Sequence, residues 1–269
     1  MSPVEQPVGT LYGIGVGPGD PELITVKGMR CLQRVPVVAF PAGLQGKPGI
    51  AQTIVAQWLN PAQTQLPLHF PYVLEMDVLE AAWQESAAQV WELLAQGMDV
   101  AFVSEGDVGF YSTFAYLAQT LQQHHAEVPI QIIPGVCSPM AAAAMVGAPL
   151  TIRDQRLLVL PALYTIADLE AAIATADVIV LMKVSSVYEQ VWEVLQRHHL
   201  LPHSYVVERA TLPNQVVYQD LSDRPHLKLP YFSILIVQVR GSGAGRNEEE
   251  KSNPGQSRSG DCQKKHHHP

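Results

Sequence analysis

Cysteine is scarce in this 269-residue chain: Cys31, Cys137 and Cys262 are scattered and odd in number. That argues against a disulfide framework and for a reducing cytoplasm. No run of about 18 apolar residues exists, so no helical membrane span is expected. Met1 to Gln6 lacks the basic start of a secretory leader, and none is expected. Positive charge is short too, with 17 Lys and Arg against 25 Asp and Glu and a formal net charge of −8. A nucleic-acid partner would want a basic face, and this balance speaks against one. The histidines build no metal site. Pro202 interrupts the helical spacing of His199 and His203, and the adjacent pairs His124-His125 and His198-His199 cannot face one ligand. Phosphate-binding signatures are missing as well. The dinucleotide fingerprint needs a third glycine where this chain has Pro18 or Asp20, and the lysine-bearing phosphate loop is absent.

What is there reads as globular: 47% apolar and 16% charged residues, with length for one large domain or two small ones. The most informative stretch is Gly13-Ile14-Gly15-Val16-Gly17-Pro18-Gly19-Asp20-Pro21. An apolar lead-in before it and a helix-capable segment after it make a strand–turn–helix, where backbone can approach a ligand closely. Without phosphate signatures, the expected occupant is a nucleoside without bound phosphates.

Periodicity predicts strands over Val35–Phe40, Val100–Ser104, Ile130–Ile133, Leu157–Leu160, Val178–Met182, Ser204–Glu208, Val216–Gln219 and Phe232–Val239. Helices are predicted over Asp77–Gln96, Thr113–Gln123, Asp168–Thr175 and Val187–His198. Strand–helix alternation gives way to consecutive strands, so the expected fold is two α/β domains with a cleft between them, the first a mostly parallel sheet. The boundaries are residues 8–136 and 137–240, followed by a disordered tail expected over 241–269, whose His266-His267-His268 can bind metal adventitiously and is not taken as functional.

A second loop, Ser104-Glu105-Gly106-Asp107-Val108-Gly109-Phe110, also sits between strand and helix. There Asp107 can accept from ribose hydroxyls, or serve only the turn, and Thr113 can cap the helix. A third loop, Pro134-Gly135-Val136-Cys137-Ser138, precedes the small-residue run Ala141 to Ala144, which suits helix packing.

Three such loops in this order resemble the tetrapyrrole (corrin/porphyrin) methyltransferase family. The matching pieces are Gly15-Val16-Gly17-Pro18-Gly19-Asp20-Pro21-Glu22-Leu23, Ser104-Glu105-Gly106-Asp107 and Ile133-Pro134-Gly135-Val136. Phe110-Tyr111-Ser112-Thr113-Phe114, Leu160-Pro161-Ala162, Val180-Leu181-Met182-Lys183-Val184 and Pro230-Tyr231-Phe232-Ser233 look most like the precorrin-2 and cobalt-factor II C20-methyltransferases. The resemblance implies S-adenosylmethionine folded in the cleft, a tetrapyrrole as acceptor, and a homodimer. Any cobalt would arrive inside the ring. The implied cofactor contacts are Pro18, Glu105, Gly106, Asp107, Phe110, Cys137, Ser138, Met182, Ala210 and one of Ser233, Ile234 and Leu235. Lys183 and Tyr231 lie in the subgroup-like segments and are expected to orient or deprotonate the tetrapyrrole. The alternative, a solvated strand-end cation and a rim aromatic, stays open. Donors for its carboxylates are sought among Lys27, Arg30, Arg153, Arg156 and Arg209.

Two departures stand out. Val108 replaces the family's proline, weakening the turn's rigidity, and Cys137 replaces a hydroxyl residue. Rival readings are a family member acting at another ring carbon or acceptor, a nicotinamide-dependent dehydrogenase, and a non-catalytic nucleoside-binding module.

Overall fold

The computed structural model of the chain describes residues 7–43, 47–71, 73, 75–163 and 165–240; the tail expected over 241–269 lies outside them. Strands β1 (Leu11–Gly15) and β4 (Val100–Ser104) are buried along their whole length, and β2 (Val37–Pro41) nearly so. Such strands belong in a parallel sheet covered by helices on both sides. With β3 (Thr64–Leu68) and β5 (Ile130–Ile133) they form an all-parallel sheet in the order β3-β2-β4-β1-β5.

Alternation along each strand sorts the side chains onto two faces. Leu11, Val100 and Phe102 pack with α3 (Met76–Leu94) and α4 (Phe114–His124). Tyr12, Ile14, Ala101 and Val103 pack with α1 (Val26–Arg34) and α2 (Ile50–Val55). The chain steps outward from β1 to β2 and β3, then returns to β4 and crosses to β5 on the far side of β1. Right-handed crossovers change face when direction reverses, so the two helical layers fill in turn. The reversal leaves β4, β1 and β5 side by side, with their loops at one sheet edge.

The second sheet runs β6-β7-β10-β8-β9, from β6 (Leu157–Leu160), β7 (Val178–Met182), β8 (Ser204–Glu208), β9 (Val216–Gln219) and β10 (Ser233–Gln238). Only β6 and β7 pair in parallel; β10 runs antiparallel to both β7 and β8. One face takes Leu169 of α6 (Ile166–Thr175) and Tyr188 and Val191 of α7 (Tyr188–Arg197). The other takes Ala141, Ala142 and Ala143 of α5 (Ser138–Val146) against Val180, Val207 and Ile236. The small-residue run therefore serves helix-on-sheet packing. Both α/β regions fall within one compact unit ending at Val239.

Three differences from the sequence expectation have local causes. Val35 is not in β2 but ends α1, its N–H donating to Cys31 O at 3.2 Å, and Pro36 bars the helix from going further. β3 escaped notice because Thr-Gln-Leu-Pro-Leu is half polar and carries a proline, which an edge strand tolerates. α2 is a short helix with no side-chain cap to announce it.

Candidate active site

The loops after β1, β4 and β5 are locked to one another through backbone. Gly17 and Gly106 exchange two N–H···O bonds of 3.1 and 2.8 Å, each in a left-handed conformation (φ 80° and 73°) that disfavours side chains. At Gly15 a Cβ would lie 2.7 Å from Gly135 N and 2.8 Å from Gly106 O. The ring of Phe114 fills the space that a side chain at Gly13 would take. These glycines thus make room for neighbouring loops and for Phe114, rather than directly for a ligand.

Asp107 completes the junction. One carboxylate oxygen accepts from Gly109 N–H at 2.8 Å and the other from Gly135 N–H at 2.7 Å. Both oxygens are engaged, though each keeps a further lone pair. Val108, where the family has proline, is buried with Phe102 and Phe114, so burial anchors the loop where a fixed φ would otherwise do so. Thr113 does not cap α4 as expected. Ser112 does, its hydroxyl accepting from Phe114 N–H at 3.2 Å and donating to Ser104 Oγ at 2.9 Å. The first loop also grips the second region: Asp20 N–H donates to Thr211 Oγ1 at 2.9 Å, and Gly19 lies against Ala210.

These loops and the second sheet enclose a cavity of about 490 Å³. Pro18, Glu105, Gly106, Asp107, Phe110 and Ser138 line it from the loop side, and Met182, Lys183, Ala210, Tyr231, Ser233 and Ile234 from the other. Two expected contacts are not on this wall. Cys137 is the N-cap of α5 and makes no side-chain capping bond. Leu235 lies one residue further along β10 than Ser233 and Ile234, past the cavity, and is buried in the core with Leu181 and Val206. Of the five basic candidates only Arg209 reaches the wall. Its Nη2 donates to Glu208 Oε2 at 2.7 Å and its Nε to Asn214 O at 3.1 Å. Arg156 is paired with Asp177 at 3.4 Å, and Lys27, Arg30 and Arg153 are exposed away from it. Pro41 at the end of β2, Ala42 after it, and Phe70, Pro71 and Val73 after the unrecognised β3 also line the cavity and were missed.

Tyr111, Lys183 and Arg209 all line this cavity with left-handed backbone, at φ 53°, 53° and 48°. Non-glycine residues hold that conformation only where the surroundings impose it, and such positions cluster at binding sites. Burial pushes the Glu105 carboxyl above the usual carboxylate range, while its own N–H pulls the other way. Burial also raises the Tyr231 hydroxyl, and the Glu105 charge raises it further. Lys183 Nζ sits 6.0 Å from the Tyr231 ring centroid, so these three side chains share one patch. Among the described residues no group of three or more His, Cys, Asp or Glu is placed to hold a metal, and no helix is long and apolar enough to cross a membrane.

Two α/β regions closing on a cavity of this size, with glycine loops lacking a phosphate cradle, define a binder of a small organic ligand. Residues 10–224 match the family model of Tetrapyrrole (Corrin/Porphyrin) Methylases, and the chain belongs to that family. It is 33% identical over 238 residues to a precorrin-2 C(20)-methyltransferase from a Sinorhizobium species, covering 86% of this chain and 95% of the relative. Against the cobalamin biosynthesis protein CobIJ of Mycobacterium tuberculosis the identity is 35% over 237 residues, 85% of this chain. The match covers 46% of that relative, so the chain spans about half its length. The X-ray structure of a cobalamin biosynthetic enzyme, cobalt precorrin-4 methyltransferase, superposes with a TM-score of 0.66 at 25% identity, over 86% of this chain and 96% of the other.

Proposed function

We propose that the chain is an S-adenosylmethionine-dependent C-methyltransferase acting on C20 of precorrin-2, or of its cobalt-bearing counterpart, in corrin synthesis. The supporting observation is identity along nearly the full length of a precorrin-2 C(20)-methyltransferase. The cavity suits the donor. Pro18, Phe110, Met182 and Ala210 give it apolar walls, and about 490 Å³ lies within the usual range for small-molecule sites. S-adenosylmethionine supplies a methyl group on a positively charged sulfur.

In this reading Pro18, Gly106, Asp107, Phe110, Ser138, Met182, Ala210, Ser233 and Ile234, with the backbone of Glu105, hold the donor. Cys137 and Leu235 are left out of the contact set. Lys183 and Tyr231 orient the tetrapyrrole. Arg209 keeps guanidinium donors beyond those taken by Glu208 and Asn214, and these bind an acetate or propionate of the ring. Alignment of methyl and acceptor carbon contributes about 7–11 kcal/mol to lowering the barrier. The reaction moves charge off sulfur, so a water-poor cavity is no handicap.

In this reading the N-terminal α/β domain spans residues 8–136 and the C-terminal α/β domain 137–240. The protein is placed in the cytoplasm, without a nucleic-acid partner, as a homodimer. Exposed Ile132 on edge strand β5, Met140 and Met145 on α5, and Leu157 and Leu158 on edge strand β6 offer apolar surface to a second copy. The decisive experiment supplies precorrin-2 or its cobalt form with methyl-labelled S-adenosylmethionine. Label at C20 is expected, with S-adenosylhomocysteine released in equal amount. Label at another ring carbon, or none, overturns the assignment.

A further inference from the structure

Three carboxylates stand at or beside the cavity, and two are committed to the fold. Asp107 binds the Gly109 and Gly135 amides, and Glu208 accepts from Arg209 and from the Tyr218 hydroxyl at 3.1 Å. Glu105 is different. It follows β4 directly, so a fully buried strand fixes its position, and its side chain lines the cavity. Among the described residues no other group donates a hydrogen bond to that carboxylate; only its own N–H draws on it. The residue is half-buried, and a carboxylate on a cavity wall that no other group of the fold engages is available to a ligand.

We propose that Glu105 is the base that takes the proton from the methylated carbon, an inference that rests on the methyl-transfer reading above. The acceptor carbon uses a π electron pair to bond the methyl, and the S–C bond breaks with its pair staying on sulfur. The carbon then carries both methyl and hydrogen, and the conjugated ring carries a positive charge. A Glu105 oxygen bonds the proton as the C–H pair returns to the ring and restores conjugation. The carboxylic acid later passes the proton to solvent. Nothing is oxidised or reduced, and no further reactant is needed.

The other ionisable groups on the wall serve less well. Lys183 and Arg209 are cations with no lone pair to offer. Tyr231 holds its proton more tightly than usual, partly because Glu105 is charged. Asp107 has both oxygens engaged by amides. The same burial that makes the Glu105 carboxylate costly strengthens it as a base, bringing its proton affinity nearer to working pH.

The test uses the full chain, wild type and Glu105→Gln, with precorrin-2 carrying hydrogen or deuterium at C20. The variant is expected to bind S-adenosylhomocysteine within about threefold of wild type by calorimetry, yet to lose about 100-fold or more in turnover. Its chromophore change should acquire a deuterium isotope effect, because proton loss becomes the slow step. Turnover close to wild type overturns the inference. So does a loss of rate matched by a loss of S-adenosylhomocysteine affinity, or one without an isotope effect. If the wild-type chain transfers no methyl group to either tetrapyrrole, the underlying reading fails and the base falls with it. An active wild type beside an equally active variant removes the base alone.

Discussion

A partly desolvated carboxyl on the cavity wall makes the protein's stability depend on pH in an unusual direction. In the unfolded chain the Glu105 charge is solvated at little cost, whereas the folded chain must hold it on the cavity wall. The stability from this site is therefore full below the ordinary carboxyl range and lost as pH climbs through the raised folded value. Glu105→Gln should melt higher than wild type at about pH 8, with the difference closing toward about pH 4. Thermal melts at the two pH values check it, and a gap that widens on acidification contradicts it. Lys183 and Tyr231 act by placement, since neither ring nor ammonium is a suitable base. Lys183→Ala and Tyr231→Phe should each lower turnover by about 10- to 100-fold, with S-adenosylhomocysteine affinity unchanged in calorimetry. Turnover equal to wild type in both would remove them from the site.

Elements meet here through close backbone contact, which leaves little tolerance. Gly15→Ala would drive a methyl group against Gly135 N and Gly106 O, neither of which can swing aside. The expected loss is about 1–3 kcal/mol in chemical denaturation, with weakened cofactor binding because all three loops shift. At the start of α5 the opposite holds. Cys137 has the extended backbone of an N-cap (φ −75°, ψ 152°) but makes no capping bond. Cys137→Ser would supply the missing acceptor and should stabilise the protein by about 0.5–1 kcal/mol in the same assay. Strand position was legible wherever an apolar run was bounded by turns: β4, β5, β7, β8 and β9 fall where periodicity placed them. β3 was not, because an edge strand with polar residues and Pro67 reads as loop, and with it went Phe70 and Pro71 of the cavity wall. Along β10 the cavity is lined by Ser233 and Ile234 and not by Leu235, and how far a wall reaches along a strand is not written in its period.

At the scale of the whole molecule, the family resemblance located most of the cavity lining but could not tell which side chains are already spoken for. Asp107, expected to accept from ribose or to serve the turn, also braces two loops through the Gly109 and Gly135 amides, and Glu105, expected only as a cofactor contact, carries the uncommitted carboxyl. Burial and pairing are properties of the folded chain, and no spacing in a sequence encodes them. The reciprocal bonds between Gly17 and Gly106 carry a consequence for how the protein breathes. Both residues are buried, so opening them requires the β1 and β4 loops to part together. Their amides should exchange with deuterated water at rates near those of β1 itself, in contrast to ordinary surface loops. Hydrogen-exchange mass spectrometry of the unliganded protein reads this directly, and rapid labelling at both glycines would count against it. Such protection would mean that a methyl donor enters a rigid mould, losing little freedom of the host on arrival.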